Sequence, residues 1–296
     1  MKKNKLKPLP FRKIRAINDP IIIKFIKSIF LNDPKFYKSL DDKNIHNNFL
    51  KSYLKWIKSS KINNLKGLGK YKFACFSNGS SQVFDYFYAK YKKKRFRILK
   101  GDYAYHHLSW RNHFPNWSYL ENFEIKKNDA LIISLPFSDT GFKHPMMEKL
   151  IKICDKNDIP VLVDCCYYSN CKNINFNFNH KSIKVIAFSL SKAFPASRLR
   201  IGMRLTKDDD DDPLFFLQKL GLVNRASAYV GLKLIKRFKF DYLYKKYEKI
   251  QKFYCKKLNV FPSNIVNLAI GGDEWKEYNR GGKSNRLCLS SLYEKK

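Results

Sequence analysis

The sequence predicts an α/β fold, a mostly parallel central sheet with flanking helices. Short apolar runs alternate with helix-like stretches from Tyr71 onward, the pattern of a repeating βα unit. The stretches between them carry apolar residues at helical spacing. With 44% hydrophobic and 16% aromatic residues among 296, the chain can bury a full core.

Residues 1–65 are rich in Lys and Asn and read as an N-terminal arm. Its start is basic, and the run from Ile21 to Lys27 is broken by lysines and lacks a small-residue cleavage site. It predicts an amphipathic helix rather than a signal peptide. Residues 66–240 form the expected large domain, with strands at 71–76, 96–99, 130–135, 161–163, 185–188 and 201–205. Helices are expected at 81–91, through Val83, Phe84, Phe87 and Tyr91, and at 144–156, bounded by Pro160. The five aspartates Asp208 to Asp212 and then Pro213 place carboxylates at the start of a further helix, where its dipole favours them. Residues 241–296 read as a reduced small domain: a helical stretch, turns at Pro262 and Gly271-Gly272, and a last strand at 287–289.

A formal net charge of +34 would suit a nucleic acid or an anionic membrane. The distribution argues otherwise, because 47 lysines against 12 arginines, spread over the whole length, describe a solvated surface rather than a binding stripe. Nucleic-acid binding is the lesser reading. The cysteines at 75, 154, 165, 166, 171, 255 and 288 are odd in number and form no CxxC pair, as expected of reduced thiols in the cytoplasm. His106, His107 and His113 are the one histidine cluster, and without Cys or carboxylates at zinc spacing they predict no metal site. No apolar run is long enough to span a bilayer.

Five runs carry chemistry. The first strand leads into Ser77-Asn78-Gly79-Ser80-Ser81 and a helix start, where free backbone N–H groups and small residues make an anion site; plain Ser caps would give the same string. The 130–135 strand leads into Pro136-Phe137-Ser138-Asp139-Thr140-Gly141. The next strand delivers Asp164, with the phenol of Tyr167 three residues on, although a lone Asp there also serves as a turn residue. Ser189-Leu190-Ser191-Lys192 sets an amine behind two hydroxyls, eight residues before Arg200-Ile201-Gly202, whose guanidinium can fork onto two oxygens. Near the end comes Asn285-Arg286-Leu287-Cys288-Leu289-Ser290.

In this order the runs resemble the aminotransferase class I/II family, the pyridoxal-phosphate enzymes of fold type I, well over residues 70–210 and loosely over the last fifty. The resemblance implies that Lys192 is the catalytic lysine that forms a Schiff base with pyridoxal 5'-phosphate. It implies a phosphate site made by Gly79, Ser80, Ser81, Ser189 and Arg200, a stacking ring from Tyr103, with Tyr105 as the alternative, and a pyridine-nitrogen partner in Asp164. Tyr167 would bond the phenolate, and Arg286 would clamp the substrate α-carboxylate. In the family's N-P-x-G turn this chain has Ser138 for the Asn that meets the phenolic oxygen, and Asp139 for the Pro. The segment between Lys192 and Arg286 is short for the family, so the small domain is reduced. A looser similarity runs to the alliinase and tryptophan aminotransferase-related branch, although Ala193-Phe194-Pro195-Ala196-Ser197 stands where that branch is rich in glycine. The implied activity is transamination between an α-amino acid and a keto acid in a homodimer. A lyase or decarboxylase on the same cofactor, and a catalytically decayed basic binding protein, are the alternatives.

Overall fold

Strands that read as unbroken apolar runs are covered on both faces. In the strand Asp129–Ser134, Leu131 and Ile133 enter one hydrophobic cluster while Ala130 and Ile132 enter another on the opposite side. Such strands need no polar alternation, because neither face meets water. The computed structural model describes residues 9–107, 116–120, 124–209 and 212–294.

In chain order the elements begin with α1 (Pro20–Asn32), α2 (Lys35–Lys38), α3 (Ile45–Lys58), β1 (Asn64–Lys66), β2 (Phe73–Asn78) and α4 (Ser80–Lys90). Then follow β3 (Arg95–Ile98), β4 (Trp117–Tyr119), β5 (Asp129–Ser134), α5 (Met147–Lys156), β6 (Val161–Asp164), β7 (Asn175–Asn177), β8 (Ile183–Ser189) and β9 (Ile201–Thr206). The remainder holds α6 (Pro213–Lys219), α7 (Arg225–Arg237), α8 (Tyr242–Leu258), β10 (Phe261–Pro262), β11 (Leu268–Gly271), β12 (Asn285–Cys288) and α9 (Ser290–Tyr293).

The central sheet has seven strands in the order β2-β9-β8-β6-β5-β3-β4. From β8 to β4 all pairs are parallel, while β9 runs antiparallel to both β8 and β2. The apolar period is the same for either direction, so the reversal of β9 could not be read from the sequence. It matters for the site, because it returns Arg200 and Gly202 to the end of the sheet where β2 and β8 finish.

Helix α4 covers one face through Val83, Phe84, Phe87 and Tyr88, each worth about 1.5–3 kcal/mol of apolar burial. The other face is covered in part by α5, through Leu150, Ile151 and Cys154. The arm joins that side too: α3 packs along α7, and the Trp56 indole N–H donates to the Phe238 carbonyl at 2.7 Å. Asp19, fully buried, caps α1 by accepting from the Ile21 and Ile22 N–H groups and also accepts from the Tyr247 hydroxyl of α8 at 2.9 Å. The C-terminal segment is a three-stranded antiparallel sheet, β10-β11-β12, extended by a bridge from Phe11 to Cys288. The last strand starts two residues earlier than its apolar run suggested, so Arg286 lies inside it. All seven cysteines are buried. Among the described residues no helix is long and apolar enough to cross a membrane.

The acidic run behaves as a helix start. Asp212 accepts from the Phe215 N–H at 2.9 Å, and its Oδ1 also receives Nη2 of the buried Arg204 at 3.0 Å; Asp210, Asp211 and His113 lie outside the described residues. Asp212→Ala removes both a cap and the counter-charge of a guanidinium that is 2% exposed. It is expected to destabilise the fold by about 3 kcal/mol, read from urea unfolding midpoints, whereas Asp209→Ala should change the midpoint little.

Candidate active site

Glycine geometry builds an anion cradle where β2, β9 and α4 meet. Gly79 has φ +75°, a conformation that L side chains rarely adopt, and a Cβ there would run into the Arg200 guanidinium. A Cβ on Gly202 would lie 2.6 Å from Ser77 Oγ and 2.9 Å from the Gly79 carbonyl carbon, so the two strand ends can approach only as glycines. Arg200, itself left-handed at φ +53°, reaches across to donate from Nη2 to Ser81 Oγ at 2.8 Å. The first N–H groups of α4 therefore face a notch rimmed by a guanidinium and a hydroxyl, which suits a phosphate monoester. Ser189 belongs to the same corner: its Oγ accepts from the Ser191 N–H at 3.2 Å and meets the Ile201 carbonyl at 3.2 Å. Ser80 bonds the Cys166 thiol, which links the cradle to the end of β6.

At that end stands Asp164, 3% exposed, with Oδ1 accepting from the Cys166 N–H at 3.0 Å. Its Oδ2 is 3.8 Å from Nε2 of the buried His106, whose Nδ1 is 2.6 Å from the Tyr88 hydroxyl. Burial pushes the Tyr88 hydroxyl well above its ordinary value, so the phenol stays protonated in this pair. Tyr88 and His106 thus hold Asp164 from behind. Tyr103 meets the edge of the His106 ring at 5.7 Å and stacks on Tyr105 at 6.0 Å. Its loop is fixed by Asp102, whose carboxylate accepts from the N–H and the hydroxyl of Ser134 at the end of β5.

Lys192, Tyr167, Ser138 and Arg286 form a continuous line on the opposite side. Lys192 Nζ is 5.9 Å from the Tyr167 ring centre and donates to the Ile14 carbonyl at 2.9 Å. The Tyr167 hydroxyl bonds Ser138. Arg286, 3% exposed, donates from Nη1 to the Ser138 carbonyl and, at 2.9 Å, to Ser138 Oγ. Its Nε is buried without a partner among the described residues, so the guanidinium keeps a donor for an anion. Burial lowers the Lys192 amine below its ordinary value; the neighbouring Cys166 thiol works against this and Arg286 works with it. A cavity of about 640 Å³ opens beside Lys192, bounded by Ser191, Pro195 and Ser197 and by Phe11, Ile14 and Arg15 of the arm.

The predicted residues thus gather at one end of the sheet. Ser138 is engaged by Arg286 and Tyr167, a role the turn's sequence did not suggest. Sequence reading passed over His106, weighed only as a metal ligand, as well as Asp102, Asp139 and the Ile14 carbonyl. The first two had a signal in the Gly-Asp-Tyr run that also carries Tyr103, but a backbone carbonyl 178 residues from its lysine has none.

The family model for aminotransferase class I and II matches residues 54–252, which hold every site residue above except Arg286 and the arm residues Phe11, Ile14 and Arg15. The chain belongs to that family. At that level it is an enzyme, a pyridoxal-phosphate-dependent aminotransferase. No curated protein matches the chain. Among solved structures it is similar to the histidinol-phosphate aminotransferase from Clostridium acetobutylicum, with 17% identity, 87% of this chain and 80% of that one covered and a TM-score of 0.61. A probable N-succinyldiaminopimelate aminotransferase from Thermus thermophilus matches with 14% identity, coverage of 95% and 89% and a TM-score of 0.66. A pyridoxal-phosphate-bound C-S lyase from Staphylococcus hominis matches with 12% identity, coverage of 95% and 86% and a TM-score of 0.60. At these identities the neighbours establish the shared fold.

The cradle can be tested alone. Gly79→Ala should weaken pyridoxal phosphate binding by at least about tenfold in a spectrophotometric titration, through strain and the collision with Arg200. Gly221→Ala has comparable backbone strain at φ +67°, with no atom nearer its Cβ than 3.5 Å, and should leave the affinity as it is.

Proposed function

We propose that the protein transfers an amino group between an α-amino acid and a keto acid, with Lys192 as the amine that takes the cofactor aldehyde. The observation that supports this most is the line from Lys192 through Tyr167 and Ser138 to Arg286. It sets an amine and a buried carboxylate clamp on one side of a site whose other side holds an anion cradle and a strand-end carboxylate.

When bound, pyridoxal phosphate supplies an electron sink for the electrons released at the substrate α-carbon. Asp164, held by His106 and the Cys166 N–H, keeps a proton on the pyridine nitrogen. Tyr167 donates to the phenolic oxygen, and Ser138 orients the Tyr167 hydroxyl. Arg286 receives the α-carboxylate on Nε and its remaining N–H groups, with Nη1 anchored on Ser138. Lys192 would hold the cofactor by its aldehyde and would carry a proton to or from the substrate α-carbon, and burial below the usual lysine range suits its amine to that work. Two copies of the chain form the working enzyme.

The purified protein is expected to develop the near-visible absorbance of lysine-bound pyridoxal phosphate. Lys192→Ala should abolish that band and lower turnover roughly a thousandfold. A wild-type protein that stays colourless at saturating cofactor overturns the reading. Keto-acid formation from the donor, with no carbon dioxide or ammonia released, separates transamination from decarboxylation and elimination, and sedimentation of the loaded protein tests the dimer.

The pH response follows from the sign of the lysine shift. Only the unprotonated amine attacks the aldehyde, and the folded value lies below 10.5. The rate of cofactor uptake should therefore rise with pH and level off before pH 10.5, in stopped-flow traces across the alkaline range.

A further inference from the structure

The strand that carries Arg286 belongs to the C-terminal sheet, yet its guanidinium has to be placed against the central one. β12 pairs with β11 along one edge, and the arm meets it only at its far end, through the Phe11–Cys288 bridge. Ahead of β12 the chain makes a loop that holds itself together through Asn279, which accepts from the Gly281 N–H at 2.8 Å and donates to the Gly282 carbonyl at 3.2 Å. Among the described residues the hydrogen bonds that tie this loop to the central sheet go to one carboxylate, in the turn after β5. Asp139, 3% exposed, accepts on Oδ2 from the Lys283 N–H at 3.0 Å and the Ser284 N–H at 3.1 Å. A Cβ on Gly282 would lie 2.2 Å from Asp139 Oδ1, so the loop can come this close only as glycine.

Two adjacent residues of one turn therefore hold the Arg286 segment twice. Ser138 takes the guanidinium itself, on its carbonyl and hydroxyl oxygens, while Asp139 takes the backbone N–H groups three and two residues before it. A buried carboxylate does not follow a shifting loop, because each N–H that leaves it strands charge away from water. The backbone ahead of Arg286 is thus pinned to the end of β5, the strand beside the one that delivers Asp164. We propose that Asp139 is the positioning residue of the α-carboxylate clamp: by fixing that backbone it keeps the Arg286 guanidinium set for a carboxylate before any amino acid arrives. This rests on the aminotransferase reading above and names the residue that sets its substrate side. A proline at this position has no side-chain acceptor and could not make the anchor.

The experiment titrates butyrate and 3-phenylpropionate, carboxylates without an amine, into the pyridoxal-phosphate-loaded protein by calorimetry, so that no turnover is needed. Asp139→Ala should weaken their binding by about tenfold to a hundredfold, the cost of a misplaced contact. Asp139→Asn keeps an acceptor oxygen without the charge and should fall between wild type and Asp139→Ala. Gly282→Ala pushes the loop off the carboxylate from its own side and should reproduce the loss, which also decides the matter if the Asp139 variants do not fold. A double-mutant cycle separates positioning from general disturbance: in an Arg286→Gln background, Asp139→Ala should cost nothing further. Additive losses in that cycle, or carboxylate affinities unchanged in Asp139→Ala and Gly282→Ala, overturn the proposal. So does an equal loss in the spectral response to propylamine, which offers Arg286 no carboxylate. Cofactor uptake is measured first on every variant. A wild type that binds no cofactor overturns the aminotransferase reading and this proposal with it, whereas normal uptake with carboxylate binding indifferent to Asp139 overturns this proposal alone.

Discussion

The buried carboxylate of Asp139 is where the substrate side of the molecule is tied together. It accepts from the N–H groups of Lys283 and Ser284, and the backbones of Gly101 and Gly282 lie directly against it. Burial pushes its pKa up, while those N–H groups and the Arg286 charge hold it down. A carboxylate out of water tolerates little movement of its donors, since each lost bond leaves charge unsolvated. Three loops far apart in sequence are thus locked to one point. Gly101 leads to Asp102 and Tyr103, Ser138 reaches Tyr167 and Arg286, and Gly282 leads to the strand that carries Arg286. A bulkier residue at either glycine would part all three.

The cradle end obeys a different constraint, that of close backbone approach. Gly79 and Gly202 let β2 and β9 meet where Arg200 crosses between them. The antiparallel direction of β9 is what makes this possible, because a parallel strand there would carry Arg200 to the far end of the sheet. The two ends join through Cys166, which bonds Ser80 by its side chain and Asp164 by its N–H. The anion cradle and the strand-end carboxylate are coupled through three residues rather than through a flexible loop.

Much of this was legible in the sequence. Strands β5, β6 and β8 announced themselves because sheets covered on both faces select continuous apolar runs. Lys192, Asp164, Arg200 and the 77–81 turn could be read because each lies at a strand end beside residues of matching chemistry. What could not be read were contacts made by backbone atoms across long separations. The Ile14 carbonyl on Lys192, the Asn267 side chain on the Arg15 carbonyl and the Tyr278 hydroxyl on the Pro10 carbonyl all fix the arm, and none depends on the identity of the accepting residue. Asp139 looked like a mere departure from a proline, since its partners are N–H groups that every residue but proline carries. Short strands such as β1 and β7 were missed because three residues give a period-two pattern too little length.

The lysines supply the chain's positive excess, but the arginines show how charge is used inside the fold. Arg95 and Arg97 share Asp129 at 2.7 and 3.3 Å, and Arg204 is matched by Asp212. These guanidiniums are spent on the fold. Arg200 and Arg286 instead meet hydroxyls and a carbonyl, neutral groups that orient a charge without cancelling it. The surplus of +34 adds a broad positive field around an opening already lined with uncancelled guanidinium charge. Such a field raises the encounter rate of anions and fades as salt shortens the screening length to about 8–10 Å. Contacts inside the site are screened far less, because Arg286 is buried. Salt should therefore act on how fast anionic ligands arrive, while Asp139, Ser138 and the buried guanidinium decide how they are held.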